Sequence, residues 1–158
     1  MDYNITIDRK RLQHEVHLRT YYMGEAIKRK EIDADTIESS NDDSELFGML
    51  LRKAINQMMQ SVALRFSSVE YSMDDAYITL TFNNADEKRE KLLPLLQQSI
   101  NDYLVSELTA QWLSLRQPAL AQGYDYRHIQ WISSVKEALS MFYNHKKVRR
   151  RPTNLAGI

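Results

Sequence analysis

Histidines are the residues of this chain whose type and spacing come closest to a chemical site. The chain has 4 of them, and His14 and His17 lie three residues apart, which would place both on one edge of a helix. A zinc site needs three or four converging ligands, and the zinc-protease motif spaces its two helical histidines four residues apart. The pattern therefore favours ordinary exposed histidines over a metal site.

Other motifs of catalysis and cofactor binding are missing from the sequence. It has no cysteine, which excludes disulfides, thiol nucleophiles and cysteine-ligated zinc. Its 4 glycines form no Gly-x-Gly-x-x-Gly motif, phosphate-binding loop or nucleophile elbow. The carboxylates of Glu87 and Glu90 are interleaved with basic residues, as on a solvated helix face. We expect no enzymatic activity, cofactor, metal or small-molecule substrate.

Charge is distributed unevenly along the chain, although the net charge is +0. Residues 31–45 contain seven acidic residues and no basic one, and we interpret them as a solvated linker. Residues 146–158 form a basic tail whose cations are Lys146, Lys147, Arg149, Arg150 and Arg151. Three interpretations of this tail stay open: a solubilising segment, a sequence-independent contact with DNA or RNA phosphates, and docking on an acidic protein surface such as the 31–45 segment of a neighbouring copy.

Three large aromatic residues fall at helical spacing in the second half of the chain, at Tyr103, Trp112 and Trp131. Aromatic side chains contribute strongly both to cores and to subunit interfaces. We therefore expect these residues to pack in the core or at an interface between subunits, in preference to a ligand site.

Hydrophobic periodicity predicts four helices that would position these residues. The first spans about 8–30 with Asp8 as its N-cap. The second follows Asp43 or Ser44 and carries an apolar stripe broad enough for a central helix covered on more than one side. The third runs from near Leu92 to about 115, and the fourth ends near Tyr143. Pro118 could open the fourth helix directly, or Gly123 could interrupt it.

Strand patterning is confined to two places. Alternating apolar residues predict a β-hairpin at about 68–82, with a turn at Asp74–Asp75. Residues 3–7 suit either a short strand or an extended lead-in. Together these patterns predict an α+β fold that is mainly α. They suggest one helical domain, 1–145, which contains the hairpin and the acidic linker and is followed by the basic tail.

No segment of the sequence predicts a membrane association. The N-terminus lacks a basic region followed by an apolar run, so we expect no signal peptide. The longest apolar patches are much shorter than the ~20 residues of a membrane helix. We expect a protein that is cytoplasmic when synthesised and has no membrane partner.

Three stretches of the sequence carry a family resemblance: 92–112, the basic end 148–153, and Tyr21-Tyr22-Met23-Gly24. Together they resemble small structural proteins from tailed-phage and prophage morphogenesis clusters of gut Bacteroidetes, of the head–tail connector or neck type. The resemblance implies a virion protein that assembles as a homo-oligomeric ring and contacts portal or tail-side proteins. The alternative is a small nucleic-acid-associated or regulatory adaptor that uses its basic tail.

Overall fold

The computed structural model describes residues 1–28, 44–63, 69–83, 87–116 and 118–143. In chain order the elements are β1 (Tyr3–Asp8), α1 (Arg9–Lys28), α2 (Ser44–Ala63), β2 (Val69–Met73), β3 (Tyr77–Phe82), a 3-10 helix (Glu87–Leu92), α3 (Leu93–Arg116) and α4 (Pro118–Phe142). The predicted fold class, α+β and mainly α with a hairpin between the second and third helices, is confirmed.

The sheet has three antiparallel strands in the order β1-β3-β2, one more than the predicted hairpin. Residues 3–7 therefore form a strand and not an extended lead-in, and β1 pairs with β3 from Tyr3↔Phe82 to Asp8↔Tyr77. Tyr3, Ile5 and Ile7 are buried while the residues between them are exposed. One face of the sheet consequently packs on the helices and the other faces solvent.

Two aspartates set the ends of the strands. The side-chain oxygen of Asp8 accepts hydrogen bonds from the backbone N–H groups of Lys10 (2.9 Å) and Arg11 (3.3 Å), which confirms its role as the N-cap of α1. Asp74 accepts from the N–H groups of Ala76 (2.7 Å) and Tyr77 (2.6 Å) and so closes the hairpin at the predicted turn. These two backbone bonds, with a smaller contribution from Arg9, hold the pKa of Asp74 below its usual value.

Proline positions agree with the helix boundaries. Pro94 is the second residue of α3, where its missing N–H removes no intrahelical bond. Pro118 is the first residue of α4, and the helix continues through Gly123. Of the two possibilities left open by the sequence, Pro118 therefore opens the fourth helix and Gly123 does not interrupt it.

The central helix is α3, not α2 as the apolar stripe suggested. In α2 the buried residues alternate with exposed ones at helical spacing, so only one side of the helix is covered. In α3 every residue from Tyr103 to Thr109 is buried, because α1, α2 and α4 all pack against it. This run contains the buried polar residues Ser106, Glu107 and Thr109, so its hydrophobicity pattern does not indicate a helix covered on all sides.

An aromatic cluster joins the end of α4 to the sheet, and it consists of Tyr3, Phe82, Phe142 and Tyr143. The centroid of the Phe142 ring lies 5.6 Å from the ring centroids of Tyr3 and Phe82 and 5.4 Å from that of Tyr143, and all three pairs have edge-to-face geometry. The Tyr143 hydroxyl also donates to the carbonyl of Asn83 at 3.2 Å. The N-terminal strand and the last helix are thus held together.

The two predicted charged segments fall mostly outside the described residues. Ser44 and Glu45 are an exception, since they form the start of α2 and so shorten the predicted linker. Residues 31–43 and the basic tail, including Lys146, Lys147, Arg149, Arg150 and Arg151, lie beyond the described ranges.

Candidate interaction surfaces

Tyr103 and Trp112 are both buried in the interior of the fold. The Tyr103 hydroxyl donates to the carbonyl of Ala54 at 3.4 Å, which ties α3 to α2. Burial, and secondarily the Glu107 carboxylate, raise the pKa of Tyr103 well above its usual value. Trp112 carries the Arg116 guanidinium 4.9 Å from its ring centre. Both residues pack within this chain.

Trp131 differs from the other two predicted aromatics. It is half-buried and packs against the edge of the hydrophobic core from α4. Of the three, it is the residue with the most surface left for a partner.

The histidine pair lies on α1, where His14 is exposed and His17 is half-buried. Across the described ranges, from the N-terminus to residue 143, no group of three or more histidines, aspartates or glutamates converges in a way that could hold a metal ion. No helix in those ranges is both long enough and apolar enough to cross a membrane.

The outer face of α1 exposes three large side chains that the sequence patterns did not single out as a surface. Leu18 is 38% exposed, Tyr21 41% and Tyr22 66%, and the two tyrosine rings meet edge to face at 5.7 Å. Leu12 and Val16 on the other side of the helix are fully buried. We call Leu18, Tyr21 and Tyr22 the α1 patch. Tyr21 and Tyr22 follow Leu18 by three and four residues, which places the three side chains on one helix face, away from the buried residues Leu12 and Val16. This spacing is the sequence signal that could have identified the patch.

Polar contacts along the flank of α1 fix which side of the helix faces outward. Arg19 donates to the Ser106 hydroxyl at 3.4 Å, and Asn101 donates to the Glu15 carboxylate at 3.3 Å. Because both contacts join α1 to the central helix α3, α1 cannot rotate to bury its patch without breaking them. The patch is therefore a fixed feature of the folded chain.

A polar groove of about 890 Å³ lies between α2 and the start of α1. Its charged lining residues are Arg9, Arg52, Lys53, Glu45 and Asp75. Arg9 also donates a hydrogen bond to the carbonyl of Asp74. With both signs of charge present and an open shape, the groove suits polar contacts with another protein better than a site for one small ion.

A buried polar cluster lies between α2 and α3. Gln111 donates to the Glu107 carboxylate at 2.9 Å and to the side-chain oxygen of Gln57 at 3.4 Å. The side-chain oxygen of Gln111 is buried and accepts no hydrogen bond within the described part of the chain. These hydrogen bonds lie within α3 and between α3 and α2, so we assign this cluster to the packing of the fold.

Comparisons with family models, with curated proteins and with solved structures find no match to this chain. Of the surfaces described above, the α1 patch is the one that exposes neighbouring large apolar side chains on a fixed element, which is the usual character of a protein-binding surface.

Proposed function

We propose that this chain is a non-enzymatic structural protein of a phage or prophage particle: a head–tail connector, or neck, subunit that assembles as a ring. The observation that supports the assembly role is the α1 patch. The neck assignment, with portal or tail-side proteins as partners, is taken from the sequence resemblance.

The α1 patch offers enough apolar surface for a specific contact. Complete burial of one large apolar side chain contributes about 1.5–3 kcal/mol. Scaled by the exposed fractions of Leu18, Tyr21 and Tyr22, covering the patch would contribute about 3 kcal/mol. Tyrosine also supplies a hydroxyl at the rim of such a contact, which suits an interface that must stay soluble before assembly.

The assembly role is tested by a double variant, Leu18→Glu with Tyr22→Glu. Both side chains point away from the core, so the fold should be retained while about 2 kcal/mol of the contact is lost, a weakening of association by at least roughly 30-fold. The matched control is Leu95→Glu, because Leu95 is 47% exposed and lies in the first turn of α3, where an acidic residue is favourable.

Sedimentation velocity gives the readout. We expect wild type and Leu95→Glu to form the same discrete larger species and the double variant to lose it. Equal assembly of all three would rule out the α1 patch as the contact. The neck role itself is tested by adding a tailed-phage portal protein: a stable complex supports it, and a strict monomer that never binds portal contradicts it.

The alternative function is a small nucleic-acid-associated or regulatory adaptor, favoured by the five cations between Lys146 and Arg151. Phosphate contacts of this kind weaken steeply as salt rises. Under this alternative, duplex DNA binds at low salt and deletion of residues 146–158 abolishes binding. No binding at low salt removes the alternative and leaves the assembly role intact.

A further inference from the structure

The sheet of this protein ends in a strand that no described element covers. In the order β1-β3-β2, β1 pairs with β3 on one side and with no other strand of the described residues on its outer side. Asn4 and Thr6, in the middle of β1, are exposed. Among the residues that the structure describes, none forms a strand on the outer edge of β1.

The hydrogen-bond pattern identifies which peptide groups face this edge. The N–H of Arg9 donates to the carbonyl of Ala76 at 3.0 Å, so Arg9 belongs to a hydrogen-bonded pair of the β1–β3 ladder. In an antiparallel ladder such pairs alternate with pairs whose peptide groups point outward. Counting back in twos from Arg9, the residues bonded to β3 are Ile7, Ile5 and Tyr3. The residues between them, Asp8, Thr6 and Asn4, therefore point their peptide groups outward.

This edge lacks the features that keep sheet edges from pairing. No charged residue and no proline occurs between Tyr3 and Ile7. The opposite edge strand, β2, is shorter and carries Glu70 near its middle. Native proteins usually protect an exposed edge with charge, proline or a very short strand, and an edge without them accepts another extended strand.

We propose that β1 pairs antiparallel with β1 of a second copy, which joins two sheets into one of six strands. The strand is compatible with itself, since pairing about a two-fold axis aligns its buried and exposed faces with the same faces of the second copy. An extended strand can satisfy the outward N–H and C=O groups in register, and β1, which has no charged residue from Tyr3 to Ile7, is such a strand in this chain.

Two registers would centre the β1–β1 pairing, one on Ile5 and the other on Thr6, and charge favours the second. Pairing Ile5 with Ile5 of the second copy would set Asp2 opposite Asp8 twice, which places like charges in direct contact. Pairing Thr6 with Thr6 of the second copy sets Asn4 opposite Asp8 instead. This second register provides about four backbone hydrogen bonds, two between the Thr6 residues and two from the Asp8 N–H to the Asn4 carbonyl.

This contact is independent of the proposed function. It uses the sheet edge and a two-fold axis, whereas the assembly role depends on the α1 patch. The pairing is made by backbone groups and not by ion pairs, so added salt should leave it unchanged, unlike a contact made by the basic tail.

The first test replaces Thr6 by lysine. Its side chain lies on the solvent face, so folding should be retained, while two lysines would meet at the two-fold axis and weaken the dimer by roughly tenfold. Ser72→Lys is the matched control, because Thr6 and Ser72 both pair with Thr79, from opposite edges of the sheet. We expect wild type and Ser72→Lys to sediment as dimers or multiples of dimers, and Thr6→Lys to lose that pairing.

The second test uses the absence of native cysteine. In the proposed register the two Thr6 Cα atoms would lie about 5.5 Å apart, within the range of a disulfide. Thr6→Cys should therefore form a covalent dimer on mild oxidation and Ser72→Cys should not. The proposal is overturned if wild type is monomeric, if both lysine variants dimerise equally, or if both cysteine variants crosslink to the same extent.

Discussion

Replacing Phe142 by alanine tests how firmly the last helix is tied to the N-terminal strand. The Phe142 side chain is fully buried, and its ring touches those of Tyr3, Phe82 and Tyr143. These contacts connect β1, β3 and α4, which are distant in sequence. If the packing is as described, removal of one ring should weaken the whole cooperative unit.

The expected loss follows from the burial and the ring contacts. Removing a buried phenylalanine to alanine costs about 3–5 kcal/mol. Edge-to-face pairs contribute about 0.5–1.5 kcal/mol each beyond the buried area, so three of them place Phe142 in the upper half of that range, at about 4–5 kcal/mol. A domain of this size has only about 5–15 kcal/mol of stability in total.

Urea unfolding followed by circular dichroism measures this free energy. The neighbouring residue Met141 is 51% exposed, so Met141→Ala should change stability by less than about 0.5 kcal/mol and serves as the control. If Phe142→Ala leaves too little folded protein, Phe142→Leu should still show a loss of about 1.5 kcal/mol. A loss below about 1.5 kcal/mol for Phe142→Ala would refute the aromatic cluster as a structural tie.

Two further predictions concern a phenol and a glycine. Burial, with a smaller effect of Asp2, raises the pKa of Tyr143 to about 12, so its neutral form stabilises the fold fully below pH 10 and this contribution is lost between pH 10 and 12. Tyr143→Phe should therefore flatten the fall in melting temperature over that interval, and an unchanged slope would contradict the assignment. A Cβ at Gly48 would lie 2.9 Å from Nη2 of Arg9. Gly48→Ala should therefore gain about 1 kcal/mol of helix stability in an Arg9→Ala background and clearly less with Arg9 present, as a double-mutant cycle of unfolding would show.

Local patterns sufficed for most elements of this fold. The helical period of α2, the alternation in β3, the cap at Asp8 and the turn at Asp74–Asp75 are decided by neighbours in sequence, and the structure confirms them. Residues 3–7 stayed ambiguous because a short strand needs a partner, and the paired residues of β1 and β3 are 69 (Asp8↔Tyr77) to 79 (Tyr3↔Phe82) positions apart in the sequence. Patterns of neighbouring residues do not identify such a distant strand partner.

The central helix and the candidate surface were harder to predict for a different reason. Glu107 and Thr109 are polar yet buried, and both make hydrogen bonds within α3, with Gln111 and with the carbonyl of Val105. Leu18 and Tyr22 are apolar yet exposed. Hydrophobicity predicts burial only on average, and positions that depart from it are decided by packing between distant elements.

The mass of the purified protein in solution, measured at protein concentrations of about 1 to 100 µM, tests the central claim most directly. Oligomers held by contacts of micromolar affinity are populated at these concentrations. We predict discrete species larger than the monomer, reduced by Leu18→Glu with Tyr22→Glu and unaffected by Leu95→Glu. A monomer at every concentration, alone and with portal protein, would contradict the claim that this chain is an assembly subunit.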